Sequence, residues 1–164
     1  MKFDDLDRKM RVFETAQDQC VLPGIWIVAR IDGRSFTRLT KEVHNFEAPY
    51  DERFREHMVA TVQHLMSRGF RVPFGYTQSD EISLLFHKDE SLFDRKLRKL
   101  ISVLAGEASA AFSLRLGGVA CFDCRISQNR KDWCDSSTGF HFVAIGSVNR
   151  ASDIFDSRSR GNCR

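Results

Sequence analysis

Four short apolar runs and two long amphipathic stripes occur in the order β-α-β-β-α-β, and this order predicts an α+β fold of the ferredoxin-like split βαβ kind. In that arrangement an antiparallel sheet carries both helices on one face. Two further observations agree. With 164 residues and 42% hydrophobic residues, including 14 Phe, the chain has material for one packed core and too little length for two full domains. No internal repeat or low-complexity run interrupts residues 1–127, which read as one domain, with 128–164 as a divergent tail.

The elements follow in order. Ahead of the first strand, Leu6, Met10 and Phe13 recur at helical spacing, and Leu22-Pro23-Gly24 ends that segment. Residues 25–31 are β-branched and almost continuously apolar, the pattern of a strand buried on both faces, and the run stops at Asp32-Gly33. After a loop containing Pro49, Asp51 can cap a helix whose Phe54, Met58, Val62, Leu65 and Met66 form one stripe, closed by Gly69. Residues 71–76 and 81–86 flank Thr77-Gln78-Ser79-Asp80, a polar break suited to a hairpin. Ser91 opens a second long helix, with Phe93, Leu97, Leu100, Ile101 and Leu104 inward, and Gly117-Gly118 breaks it after Leu116. Residues 119–126 supply the last strand.

Composition removes several classes of protein. The longest strongly apolar stretch, 25–29, is far short of the roughly 20 residues a bilayer span needs, and Met1 to Asp5 holds no apolar signal core. No membrane association and a cytoplasmic location are therefore expected. A net charge of +3, from 25 Lys and Arg against 22 Asp and Glu, is too small to identify a polyanionic partner, so any such claim rests on where the cations sit. The 5 cysteines are an odd number, which argues against a disulfide framework. Cys121 and Cys124 have zinc-knuckle spacing, but strand residues three apart face opposite ways, so buried free thiols are expected rather than a shared metal.

The acids point to chemistry. Asp32 ends the first strand and Asp80-Glu81 lie at the hairpin joining the second and third. The first and third strands are central neighbours in this topology, so the carboxylates meet. Taken alone, Asp-Gly and Ser-Asp are simply turn formers. Converging at one strand end beside the carbonyl of Gly33, they make a hard-cation site suited to Mg²⁺. Two such ions about 3.5–4 Å apart are the usual clamp for nucleotidyl transfer. Neighbouring strand residues face opposite ways, so the ligand role falls to Asp80 rather than Glu81.

The cations complete the picture. Arg30 lies two residues before Asp32 and shares its face, and an arginine inside an apolar strand is costly unless paired or functional. Arg95, Lys96 and Lys99 share one side of the second helix, and Arg125 points from the last strand. Such groups can hold a triphosphate, although charged helix faces are commonly just solvated.

Four motifs in register now match a known family: Arg30-Ile31-Asp32-Gly33-Arg34 followed by Phe36, then His44-Asn45-Phe46, then residues 75–81, Gly-Tyr-Thr-Gln-Ser-Asp-Glu, and finally Phe122-Asp123-Cys124-Arg125. Together they resemble the tRNA-His guanylyltransferases and their 3′ to 5′ RNA polymerase relatives over about the first 127 residues. The resemblance implies a polymerase-type palm that adds nucleotides to the 5′ end of tRNA. That end is activated with ATP or already carries a triphosphate, and the 3′ hydroxyl of an incoming GTP or other NTP attacks its phosphorus. By position it implies Asp32, the Gly33 carbonyl and Asp80 as ligands of two Mg²⁺ ions, with Glu81 as supporting acid. It likewise implies nucleotide-binding roles for Arg30, Gly33, Arg34, Phe46, Lys96, Lys99 and Arg125. The implied partners are tRNA, GTP and ATP, and the implied assembly is a homotetramer.

Two departures stand out. Ala48 occupies a position where some guanylyltransferases have a lysine linked to the adenylylation step. Residues 128–164, with 5 Arg and 6 Ser, show no helical stripe and lack the Trp-Arg-Gln-x-Asp-x-His-x-Asn-type segment that follows in the family. His141 lacks the family context, and a strand at 140–145 is the one element the tail suggests. The same residues also fit a palm-type nucleotide cyclase, or a truncated inactive palm that binds nucleotide or RNA.

Overall fold

Ile27, Ala29, Ile31 and Gly33 alternate into the interior along β1 (Trp26–Arg34), in a computed structural model that describes residues 3–16, 18–47 and 51–129. This strand lies inside a four-stranded sheet of order β2-β3-β1-β4, formed with β2 (Phe74–Gln78), β3 (Glu81–Phe86) and β4 (Cys121–Asn129). Every pairing is antiparallel. Two helices, α2 (Glu52–Met66) and α3 (Leu97–Leu116), pack together over one face of the sheet. The expected α+β arrangement is therefore the observed one.

The core lies between the layers. Ile27, Ile31, Ile82, Leu84 and Phe86 from the strands meet Met58, Val62, Leu65, Leu100, Leu104 and Phe112 from the helices, all essentially inaccessible to water. Burying each such side chain stabilises the fold by about 1.5–3 kcal/mol. Asp51 caps α2 as expected, its carboxylate accepting the N–H groups of Arg53 and Phe54. Gly117, at φ 72°, closes α3 in the left-handed conformation a glycine favours.

Several expectations need correction. β1 is not buried on both faces, because the helices cover one side only; Trp26 and Val28 are half-buried on the other, and Arg30 is exposed. The strand also runs past its expected end and takes in Asp32 and Gly33, which pair with β3 and β4. β2 is displaced toward the hairpin, since Thr77 and Gln78 pair with Ile82 and Glu81 and only Ser79-Asp80 remain as the turn.

Ser91 does not open the long helix either. Phe93, Asp94 and Arg95 have φ of 56°, 51° and 57°, so the chain turns there and α3 starts at Leu97. The helix at the front, α1 (Phe3–Thr15), forms as expected, and its Leu6, Met10 and Phe13 are 41%, 51% and 75% exposed. A short helical turn at Phe36–Arg38 and Leu39–Val43 occupies what reads as loop in the sequence.

Cys121 and Cys124 do point to opposite sides of β4, the first exposed and the second buried, and burial pushes the Cys124 thiol up to about 12. Cys20 is exposed as well, so only one of the three described cysteines is a buried thiol. No helix among the described residues is long and apolar enough to cross a membrane. Of the tail, Gln128 and Asn129 extend β4; Ala48, His141 and the suggested strand at 140–145 lie outside the described residues.

Two glycines on the packed layers make opposite predictions. A Cβ at Gly75 would stand 2.8 Å from Val62 Cγ1 and 2.9 Å from Met66 Sδ, whereas one at Gly106, exposed on α3, would meet nothing within 4 Å. Urea unfolding should show Gly75→Ala destabilised by about 1–3 kcal/mol through overpacking. Gly106→Ala should gain about 1 kcal/mol from helix propensity.

Candidate active site at the end of the sheet

Strand register decides which side chains meet. Asp32 lies opposite Glu81 of β3 on one side and opposite Asp123 of β4 on the other. Directly opposed residues share a face, with Cβ atoms about 4.5–5.5 Å apart. Three carboxylates thus form one row across the face that α2 and α3 leave uncovered. In the next row, Arg30 lies opposite Ser83 and opposite Arg125. The acids and arginines are stacked as successive rungs on the same face.

The fourth acid arrives from outside the strands. Asp80 occupies the turn between β2 and β3, where Ser79 adopts φ 53°. The Asp80 carbonyl accepts the Gly33 N–H at 3.1 Å, which ties the turn to the end of β1. The Ser79 hydroxyl donates to the Asp80 carboxylate at 3.1 Å. The strand alternation expected to separate Asp80 from Glu81 therefore does not govern this pair, because Asp80 is a turn residue.

Burial raises the Asp32 carboxyl above its ordinary value, and the charges of Asp80, Asp123 and Glu81 raise it further, against a lowering by Arg125. Negative charge accumulates around one oxygen pair at this end of the sheet. Glu81 is the exception, since Arg30 Nη2 donates to its Oε2 at 2.6 Å. Among the described residues, no three His, Cys, Asp or Glu side chains form a group that could hold a metal. What remains is a sparse oxygen set, the Asp32 and Asp80 carboxylates beside Gly33.

Gly33 itself has a packing reason. A Cβ there would come within 2.5–2.8 Å of three ring atoms of Phe36. That ring is buried against Phe54, Phe112 and Phe122, with centroids 6.1, 5.2 and 4.8 Å away. Ser35, at φ 60°, supplies the reversal that brings Phe36 back over β1. Beside it, Arg34 lines a shallow groove of about 280 Å³ with Ser35, Arg38, Leu39, Val119 and Cys121. Phe46 is half-buried in the same aromatic group, 5.4 Å from Phe54 and 5.8 Å from His44, with the Arg53 guanidinium 5.2 Å from its centroid.

The helix cations do not join the arginine row. Arg95 is 5% exposed, and its guanidinium donates to the carbonyls of Val21, Ile25, Lys88 and Glu90. It is a structural anchor rather than a surface cation. Lys96 pairs with Asp18 at 3.7 Å and Asp94 at 3.8 Å, and its backbone bridges to Cys20. Ile25 immediately precedes β1 and accepts from Arg95, so the start of α3, with Lys96 and Lys99, lies toward the end of the sheet where β1 begins, whereas Asp32 lies near its far end. Asp123, by contrast, was not singled out by sequence reasoning. Its signal is an acid between two apolar residues on a strand, which marks a face but not the neighbour across it.

Comparison with known proteins follows the same residues. Residues 7–130 match the Thg1 family profile, described as tRNAHis guanylyltransferase. A probable tRNA(His) guanylyltransferase of Drosophila melanogaster is 35% identical over 130 residues, spanning 71% of this chain and 45% of that protein. The tRNA(His) guanylyltransferase of Neurospora crassa is 38% identical over 96 residues, 58% of this chain and 32% of that one. The chain thus spans less than half the length of these curated relatives. Among solved structures, a bacterial tRNA(HIS) guanylyltransferase (Thg1)-like protein in complex with GTP superposes with TM-score 0.71 at 28% identity, covering 76% of this chain and 59% of that one.

The raised Asp32 carboxyl carries a stability prediction. Its ionised form is disfavoured in the fold, so it costs stability at neutral pH, and that cost disappears as pH falls below the ordinary value of 3.8. Asp32→Asn should melt higher than wild type at pH 7, with the two curves converging toward pH 3. A lower melting temperature for the variant at pH 7 would contradict this electrostatic account.

Proposed function

The chain belongs to the tRNAHis guanylyltransferase family, and from that premise we propose that it is the palm of a Mg²⁺-dependent nucleotidyltransferase acting on tRNA 5′ ends. In this reading it adds GTP or another NTP in the 3′ to 5′ direction. The observation that carries the proposal is the convergence of Asp32 and Asp80 at one strand end, next to a row holding Arg30 and Arg125. The donor chemistry fits the ion: carboxylate and carbonyl oxygens are hard ligands, and the charges of Asp80, Asp123 and Glu81 around Asp32 outweigh the opposing one of Arg125. Asp32, Asp80 and the Gly33 carbonyl would hold two ions. When bound, Mg²⁺ supplies neutralisation of the charge that develops on the attacking 3′ oxygen and the leaving group.

The chain's own side chains then divide the work. A triphosphate whose reacting end lies at the acids would run one rung along the sheet onto Arg30 and Arg125, whose guanidinium forks match phosphate oxygens. Arg34 and Phe46, around the Ser35 reversal, would meet the ribose and base. No protein nucleophile is required, because the attacking hydroxyl belongs to the nucleotide. Lys96 and Lys99, toward the end of the sheet where β1 begins, would meet a polyanion that extends beyond the arginine row. Residues 1–127 are proposed as the catalytic unit, and a homotetramer as the working assembly.

Three outcomes test this reading. Supplied with Mg²⁺, labelled NTP and a 5′-truncated tRNA bearing a 5′ triphosphate, which bypasses activation, the chain should extend the RNA. Asp32→Ala or Asp80→Ala should lower extension by at least about 100- to 1000-fold while circular dichroism remains unchanged. Cyclic nucleotide formed without RNA would replace the proposal with a cyclase. On the substrate side, Arg125→Ala should raise the KM for NTP about tenfold or more, as expected for a charge-assisted hydrogen bond, and Lys99→Ala should leave it unchanged.

A further inference from the structure

We propose that Glu81 is a positioning residue that acts through Arg30, setting the guanidinium for a nucleotide triphosphate, and is not a ligand of the metal. The inference rests on the nucleotide reading above and assigns Glu81 a different task from the other acids at the site.

Geometry separates Glu81 from its neighbours. Arg30 and Arg125 are directly opposed across β1 and β4, and like charges in that relation repel. Arg125 has no ion-pair partner among the described residues, whereas Arg30 donates through Nη2 to Glu81 Oε2 at 2.6 Å. Glu81 lies on β3, on the other side of β1 from Arg125, and one rung toward the acids. It therefore draws the Arg30 guanidinium away from Arg125 and toward Asp32. The pair thus directs the Arg30 guanidinium toward β3, away from the strand that carries Arg125.

The pair uses one amino group of Arg30 and leaves Nε and Nη1 as donors for phosphate oxygens. It also commits the Glu81 carboxylate, half-exposed as it is, to a guanidinium. The oxygens facing Asp32 are then those of Asp80 and Asp123. A glutamine at position 81 would weaken the hold on Arg30 without removing a group from the metal's oxygen set.

Calorimetric binding of a non-hydrolysable NTP to wild type, Glu81→Gln, Arg30→Lys and the double variant tests this. Wild type should bind. Each single substitution should weaken binding about tenfold, and the double variant should be no weaker than Arg30→Lys alone, because both changes break one device. The Mg²⁺ concentration needed for half-maximal binding at saturating NTP should be the same for Glu81→Gln as for wild type. Additive losses, or a raised Mg²⁺ requirement with unchanged NTP affinity, would overturn the positioning role while leaving the nucleotide reading intact. A wild-type chain that bound no NTP would remove the nucleotide reading itself, and this proposal with it.

Discussion

The register of β1 against its two neighbours is the constraint on which the rest depends. Strand side chains alternate with a period of two, so a slip by one residue would carry Asp32 and Arg30 into the core and bring Ile31 to the surface. Three features hold the register. Ile27, Ala29 and Ile31 must be buried, the Gly33 N–H must find the Asp80 carbonyl, and the Phe36 ring must close on a residue without a Cβ. Each is a packing or backbone requirement that says nothing about chemistry. Together they bring acids from a strand, a turn and two neighbouring strands to one edge.

This division gives the two faces of the sheet different physical roles. The helix-covered face is closed by aromatic and aliphatic packing, with Phe36, Phe54, Phe112 and Phe122 in mutual contact below the site. The other face carries the charged rungs. Excess negative charge on a half-buried carboxylate is unfavourable to folding, and it persists here because the core beneath supplies stability independently. The site is an electrostatically unfavourable arrangement on a firm base, the pattern expected where a cation is to be received.

Much of this was legible in the sequence. The element order, the Asp51 cap and the meeting of Asp32 with the β2–β3 hairpin all follow from local pattern and topology. The motif spacing carried the family. What the sequence did not disclose were relations across strands and departures from regular backbone. Asp123 and the Arg30 to Glu81 pair depend on register, which hydrophobic pattern alone does not fix. Arg95 reads as one of a helical trio because nothing in Phe93-Asp94-Arg95 marks three successive left-handed residues. The stripe of α1 is legible as a helix, but amphipathicity shows only that a face is apolar, not what covers it.

Arg95 has a consequence for how the molecule responds to substitution. Its positive charge is satisfied by four carbonyl dipoles instead of a carboxylate. The knot joining the segment before β1, the loop after β3 and the start of α3 is thus tied through main-chain carbonyls, which a change of side chain on the accepting residues does not remove. The acceptors are set by the path of the chain, so Arg95 is the member of the knot whose replacement would undo all four bonds at once.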